Sequence, residues 1–206
     1  MKILILLYII FSLFKIEMGE NNKKLENIET QTVYTTNIIK EKDKKQNIKI
    51  YYDIPLNEKL QDYIKDKCKE YDVEFELVLA VIQLESDFDV NCISYNKDEN
   101  ENIISKDIGL MQINNLYSDW YAELANLKEY NLLNPYDNIQ MGIAGLSTYK
   151  RLWEDKGYKD EELTIRMLNT YNMGEGSYKR FINKRNNISR AYDRVVFKNM
   201  EELVKR

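Results

Sequence analysis

From about residue 57 onward, apolar positions recur at helical spacing, broken by polar stretches. In "NEKLQDYIKDKCKEY" (residues 57–71) Leu60, Ile64 and Cys68 fall on one stripe with Tyr63 and Tyr71 beside it, which predicts an amphipathic helix. The next run, residues 73–86, is apolar nearly all round and is expected at the centre of the core. Asp72 is expected to cap its start, with Glu74 and Glu76 in the first turn, where acidic groups complement the helix dipole. The polar stretch "NCISYNKDENENIISKD" suits a small hairpin, and the tight "DIGLMQINN" follows it. "SDWYAELANLKEY" predicts another helix. After a break at Asn134-Pro135, a helix presents Ile139, Ile143, Leu146 and Tyr149 as its buried face. "EELTIRMLNTYNMG" predicts a helix stopped by Gly174 and Gly176, and "SRAYDRVVFKNMEELVKR" a last one. Gly142 and Gly145 mark a close packing contact.

The first 56 residues lack this periodicity. "MKILILLYIIFSLFK" places one lysine before an apolar core, residues 3–14. That core is short for the ~20 residues that span a bilayer and fits the centre of a secretory signal. Glu17, two residues before Gly19, makes a poor cleavage site, so residues 1–19 read as a signal peptide or a retained membrane anchor. No cysteine follows closely enough to carry a lipid. Residues 20–56, rich in Asn, Lys, Glu and Thr, read as a polar, disordered spacer. The folded domain is expected over residues 57–206 of an exported protein, in the cell envelope or outside the cell.

Composition narrows the chemistry. The chain has 206 residues and a net charge of −4, with lysines scattered among acids, which argues against nucleic acid as a partner. It has no histidine, which removes Ser-His-Asp and Cys-His catalysis and histidine-ligated metals. Two cysteines, Cys68 and Cys92, cannot build a four-thiolate zinc site. Export would permit a Cys68–Cys92 disulfide worth about 3 kcal/mol; the alternative is two reduced, buried thiols. Carboxylates are left as the leading acids and bases.

Glu85 stands out among them. On a helix it lies one turn from Val81 and Ile82 and two from Val78, so it projects from an apolar face near the C-terminal end. Desolvation and the negative end of the dipole both raise a carboxyl pKa. A glutamic acid that stays protonated near neutral pH is what a general acid requires. Snorkelling, or pairing with a basic residue, is the alternative on position alone.

Several segments then resemble one family. "LAVIQLESDF" is similar to the catalytic helix of the lytic transglycosylases of the soluble-lytic and goose-type lysozyme superfamily, the SLT domain. "GLMQIN", "NPYDNIQMGIAGL", "LNTYNMGEG" and "SRAYDRVV" resemble its further motifs, in its order, over roughly the last two-thirds of the chain. The resemblance implies a mainly α, lysozyme-like (α+β) fold that acts, without metal or organic cofactor, on bacterial peptidoglycan, cutting the β-1,4 bond from N-acetylmuramic acid to N-acetylglucosamine. It assigns catalysis to Glu85, first acid and then base. Ser86, Gly109, Met111, Gln112, Tyr171, Asn172, Gly174 and Tyr192 are implied substrate contacts: a phenol at Tyr171 would steady the carboxyl, and Tyr192 would pack nearby. A monomer is expected; a membrane tether by residues 3–14 is one alternative to secretion, and envelope secretion or division machinery is a candidate partner.

One segment leaves a choice. "SKDIGLMQIN" also resembles animal-type lysozymes, whose second carboxylate would fall at Asp107. A hydrolytic muramidase using Glu85 and Asp107 is therefore a rival, as is an idle glycan-binding or scaffold module.

Overall fold

The computed structural model describes residues 51–205. The signal or anchor and most of the spacer lie outside the described residues, as does the C-terminal Arg206. Within them, seven helices surround one core, with a three-stranded antiparallel sheet on one flank. No described helix is long and apolar enough to cross a membrane.

Helix α1, Glu58–Tyr71, starts where the Asn57 side chain accepts from Leu60 N at 3.0 Å. It buries Leu60, Ile64 and Cys68, the expected stripe. Gln61 is buried too: its amide bonds Tyr52 N, Tyr52 O and Leu56 O and straps the incoming chain to α1. Asp72 does not cap the next helix. It ends α1 in the left-handed region, φ 55°, and pairs with Lys150 at 2.6 Å. Helix α2, Phe75–Ser86, follows; Leu77 through Ile82 are all buried, so the all-round apolar pattern does mark the central helix.

The expected hairpin is β1, Ile93–Lys97, and β2, Ile103–Ile108, and β3, Ile113–Asn114, extends it in the order β1-β2-β3. Ser94 pairs with Asp107, Asn96 with Ser105, and Asp107 with Asn114. Because side chains alternate along a strand, these five polar residues share one face. Ile93, Tyr95, Lys106 and Ile108 occupy the other.

Helix α3, Ser118–Leu124, is shorter than the apolar pattern suggests. The chain turns at Asn126, φ 55°, where an asparagine tolerates the left-handed conformation. Helix α4, Pro135–Glu154, begins as the Asn134-Pro135 break implies, with the Asn134 side chain accepting from Tyr136 N and Pro135 in the first turn. Ile139, Ile143 and Leu146 are buried as expected, and Tyr149 is half-buried. A Cβ on Gly142 would strike Met111, and one on Gly145 would strike the Tyr121 ring.

Helix α5, Asp160–Met173, stops at Gly174, φ 74°, but Gly176 does not stop it. Gly176 lies in the first turn of a further helix, α6, Glu175–Arg185, which the apolar pattern does not announce because it buries only Tyr178. Helix α7, Ala191–Val204, closes the fold against α2. Buried Asp193 fixes its start by accepting from Asn169 Nδ2 (2.8 Å), Ser189 Oγ (2.7 Å) and Arg190 N (2.5 Å).

Cys68 and Cys92 are both free thiols. Cys68 precedes α2 and Cys92 follows it. Twelve helical residues, about 18 Å of rise, hold them near opposite ends. Cys68 is buried in the core, and burial raises its thiol pKa to about 12. The reading of two reduced thiols replaces the bridge; Cys92 is only partly buried.

Candidate active site

The last turn of α2 delivers Glu85 into a cleft of about 830 Å³. One wall is the polar face of the sheet, with Ser94, Asn96, Asp107 and Asn114. The opposite wall runs from Tyr171 at the end of α5 to Arg180 on α6. Aromatic residues from α3 and α4 line the space between.

Burial pushes the Glu85 carboxyl up to about 7. Tyr192 opposes this by donating its hydroxyl to Oε1 at 2.5 Å, and the negative charge of Asp107 adds to the rise. Burial also holds the Tyr192 phenol well above its ordinary pKa, so it stays a donor. Tyr192 reaches Glu85 because Asp193, its neighbour, is locked to α5 by the bonds described above. The steadying phenol is thus Tyr192, not Tyr171. Tyr171 lines the cleft with its ring and spends its hydroxyl on Met111 O at 2.8 Å.

The "GLMQ" segment is built from the inside by buried Asn138 of α4. Its Oδ1 accepts from Met111 N (2.8 Å), and its Nδ2 donates to Ile108 O (2.8 Å) and Leu132 O (3.0 Å). Gly109, φ 78°, faces this amide: a Cβ there would lie 2.5 Å from Asn138 Nδ2 and 2.6 Å from Leu132 O. The need for glycine is therefore packing, and Gly109 does not line the cleft, contrary to its expected contact with substrate. Met111 is fully buried with its sulfur against Gly142, so it is core rather than cleft wall. Ser86 is buried as well; its hydroxyl sits 2.9 Å from Leu110 O and 3.1 Å from Ile82 O, tying the end of α2 to the same loop instead of facing a sugar.

Gln112 does line the cleft, at a positive φ of 46°. Its Nε2 donates to Gly109 O (2.8 Å) and Cys92 O (3.2 Å). Those bonds use both amide protons, leaving Oε1, an acceptor, as what the side chain can offer. Asn172 and Gly174 also line the cleft, and Asn172 Oδ1 accepts from Arg190 at 3.2 Å.

Asp107 shares the cleft with Glu85. Its Oδ1 accepts from Asn114 Nδ2 (2.7 Å) and its Oδ2 from Asn96 Nδ2 (2.8 Å), while Ser105 Oγ accepts from both amides at 3.0 Å. The aspartate clamps three strands together and, through its charge, favours the protonated form of Glu85. Asn96 and Asn114 were not picked out from the sequence, although polar alternation in "ISYNK" carries the signal. Tyr149, expected on a buried face, also lines the cleft, as do Tyr117, Trp120 and Tyr121, which no local signal in the sequence marks. No cluster of residues suited to a metal occurs among the described residues.

The transglycosylase SLT domain matches residues 62–193. Invasion protein IagB of Salmonella typhimurium is 27% identical over 135 residues, spanning 66% of this chain and 72% of that protein. Among solved structures, the 70 kDa soluble lytic transglycosylase of Escherichia coli is 18% identical, with a TM-score of 0.47 over 70% of this chain. The lytic transglycosylase Slt of Pseudomonas aeruginosa is 15% identical, with a TM-score of 0.47 over 71%. The chain spans only about a fifth of these two enzymes, 22% and 21%. With the SLT match extending from α1 into α7 and covering well over half of its length, this chain belongs to the transglycosylase SLT domain family.

Proposed function

We propose that the chain is a peptidoglycan lytic transglycosylase that cuts the β-1,4 bond between N-acetylmuramic acid and N-acetylglucosamine. The observation that carries the proposal is Glu85: a carboxyl with a pKa raised to about 7, held by Tyr192 and lining a cleft of about 830 Å³, in a chain of this family. Such a group is protonated in a useful fraction at neutral pH and can still be ionised in the next step.

Glu85 gives its proton to the glycosidic oxygen as the bond from C1 of the muramic ring breaks. Positive charge develops at C1, and the ring's own acetamido carbonyl can stabilise it. The ionised Glu85 then takes the proton of the C6 hydroxyl, whose oxygen bonds C1. The products are a 1,6-anhydro end and a free 4-hydroxyl; no water is consumed, and Glu85 recovers its proton. Tyr192 holds the carboxyl through both steps. Gln112 Oε1 accepts from an acetamido N–H, and Asn172 and the Tyr171 ring border the sugar. Export, by a signal or a tether in residues 3–14, belongs to the same proposal because the substrate lies outside the cytoplasm.

A second reading has one observation in its favour: Asp107 lines the same cleft. A retaining hydrolase would use it as nucleophile or as charge stabiliser opposite Glu85. Both of its oxygens already accept from asparagine amides, which suits a fixed charge better than an attacking group. Mass spectrometry of digested sacculi separates the readings. Anhydro-muropeptide ends support the proposal; reducing ends replace it with a muramidase. A pure scaffold predicts that Glu85→Gln changes nothing, whereas the proposal predicts a variant that binds and no longer cuts.

A further inference from the structure

A lone exposed apolar residue is ordinary, but several aromatic side chains gathered at one cleft mark a ligand-binding surface. Trp120, on α3, is 38% exposed and lines the Glu85 cleft. Its ring packs edge-on against Tyr121 at 4.9 Å between centroids and lies tilted by 37° against Tyr149 at 5.9 Å. Tyr149 lines the cleft too, and Tyr117, 63% exposed, stands at the same rim. Tyr121 is itself buried, against a face of α4 open only because residue 145 is glycine. It continues edge-on to Tyr171 at 6.4 Å, whose hydroxyl holds Met111 O. The Trp120 indole is thus seated on rigid neighbours, not waving from a loop.

The walls differ in chemistry. The sheet wall offers amides and a carboxylate. The Trp120–Tyr149 surface offers flat apolar area. A pyranose ring has the matching asymmetry: hydroxyls and acetamido groups around its edge, and a C–H face that stacks on aromatic rings. We propose that Trp120 and Tyr149 form a saccharide-stacking subsite for a β-1,4-linked N-acetylhexosamine of the glycan strand, and that Tyr121, seated on Gly145, is its positioning residue. The inference rests on the proposed function and names where the strand is gripped beyond the reacting bond.

The chain holds its own reporter. It has two tryptophans, and the other, Trp153, is 3% exposed and bonded to Thr170 Oγ1 at 2.8 Å. A change in tryptophan emission on adding ligand therefore reports Trp120. The binding experiment titrates the Glu85→Gln full chain with β-1,4-linked N-acetylglucosamine oligomers. The expected result is a saturable blue shift that disappears in Glu85→Gln/Trp120→Phe. In the Glu85 chain on purified peptidoglycan, Trp120→Ala should lower kcat/KM roughly tenfold, mostly through KM, on the scale of one stacked aromatic contact. Trp120→Phe should recover part of that loss, and Gly145→Ala should raise KM by pushing the Tyr121 ring, itself a cleft residue, out from beside Trp120. No shift on titration, or a Trp120→Ala variant with the parent's KM, overturns the subsite. A parent chain that releases no muropeptides overturns the function instead, so the two failures are distinct.

Discussion

Glu85 shows how one residue's environment sets both chemistry and stability. An unfolded glutamate titrates near ~4.3; burial in the cleft raises the folded group to about 7. Between those values the folded state binds more protons than the unfolded chain, so stability falls as pH rises through that window. At about 1.36 kcal/mol per unit, the strain above pH 7 is on the order of 3–4 kcal/mol. Glu85→Gln should therefore melt at a higher temperature than the parent at pH 8, with little difference near pH 4, while losing activity by about 10²–10⁴-fold. Thermal melts at the two pH values and muropeptide release measure both halves. The acid must be protonated before reaction, so kcat/KM should fall as pH rises past about 7. Tyr192→Phe removes the bond that favours the ionised form, and that limb of the profile should move to higher pH.

At the scale of elements, the cleft is where a helix end, a loop and a sheet meet, and Asn138 holds the junction. Its amide is fully buried and bonds three backbone groups of two different segments. Asn138→Ala leaves those groups without partners, at about 1–3 kcal/mol each for a buried donor or acceptor. The expected outcome is a loss of at least about 3 kcal/mol in denaturant unfolding, together with a collapse of activity at temperatures where the chain is still folded. The central helix α2, the α4 start at Asn134-Pro135 and the hairpin were legible, because apolar period, proline and polar alternation are local signals. α6 was not, since a helix that buries one tyrosine has almost no apolar period. Nor was the end of α3 at Leu124, just before the left-handed turn at Asn126 that stops a pattern continuing in apolar spacing.

At the scale of the described molecule, α7 ties together segments far apart in sequence. It packs on α2, carries Tyr192 to Glu85 across 107 positions of sequence, and is locked to α5 through Asp193. Leu203 near its end is fully buried. Leu203→Ala should cost roughly 2–5 kcal/mol, measured by chemical denaturation. Near the unfolding threshold, activity should fall in step with the folded fraction, because detaching α7 withdraws the partner of the Glu85 carboxyl.

The order of motifs, the missing histidine and the apolar setting of Glu85 were sufficient in the sequence to indicate the family, the helical class and a candidate acid. Those are properties of local spacing and residue type. Tertiary structure alone decided that Tyr192 and not Tyr171 holds the acid, that Asp107 is clamped between Asn96 and Asn114, and that Gly109, Met111 and Ser86 build the cleft without facing it. Each of those assignments depends on which atom lies within about 3 Å of another across long stretches of chain. Spacing along a sequence sets which face of an element a side chain occupies, but not what the fold brings to meet it.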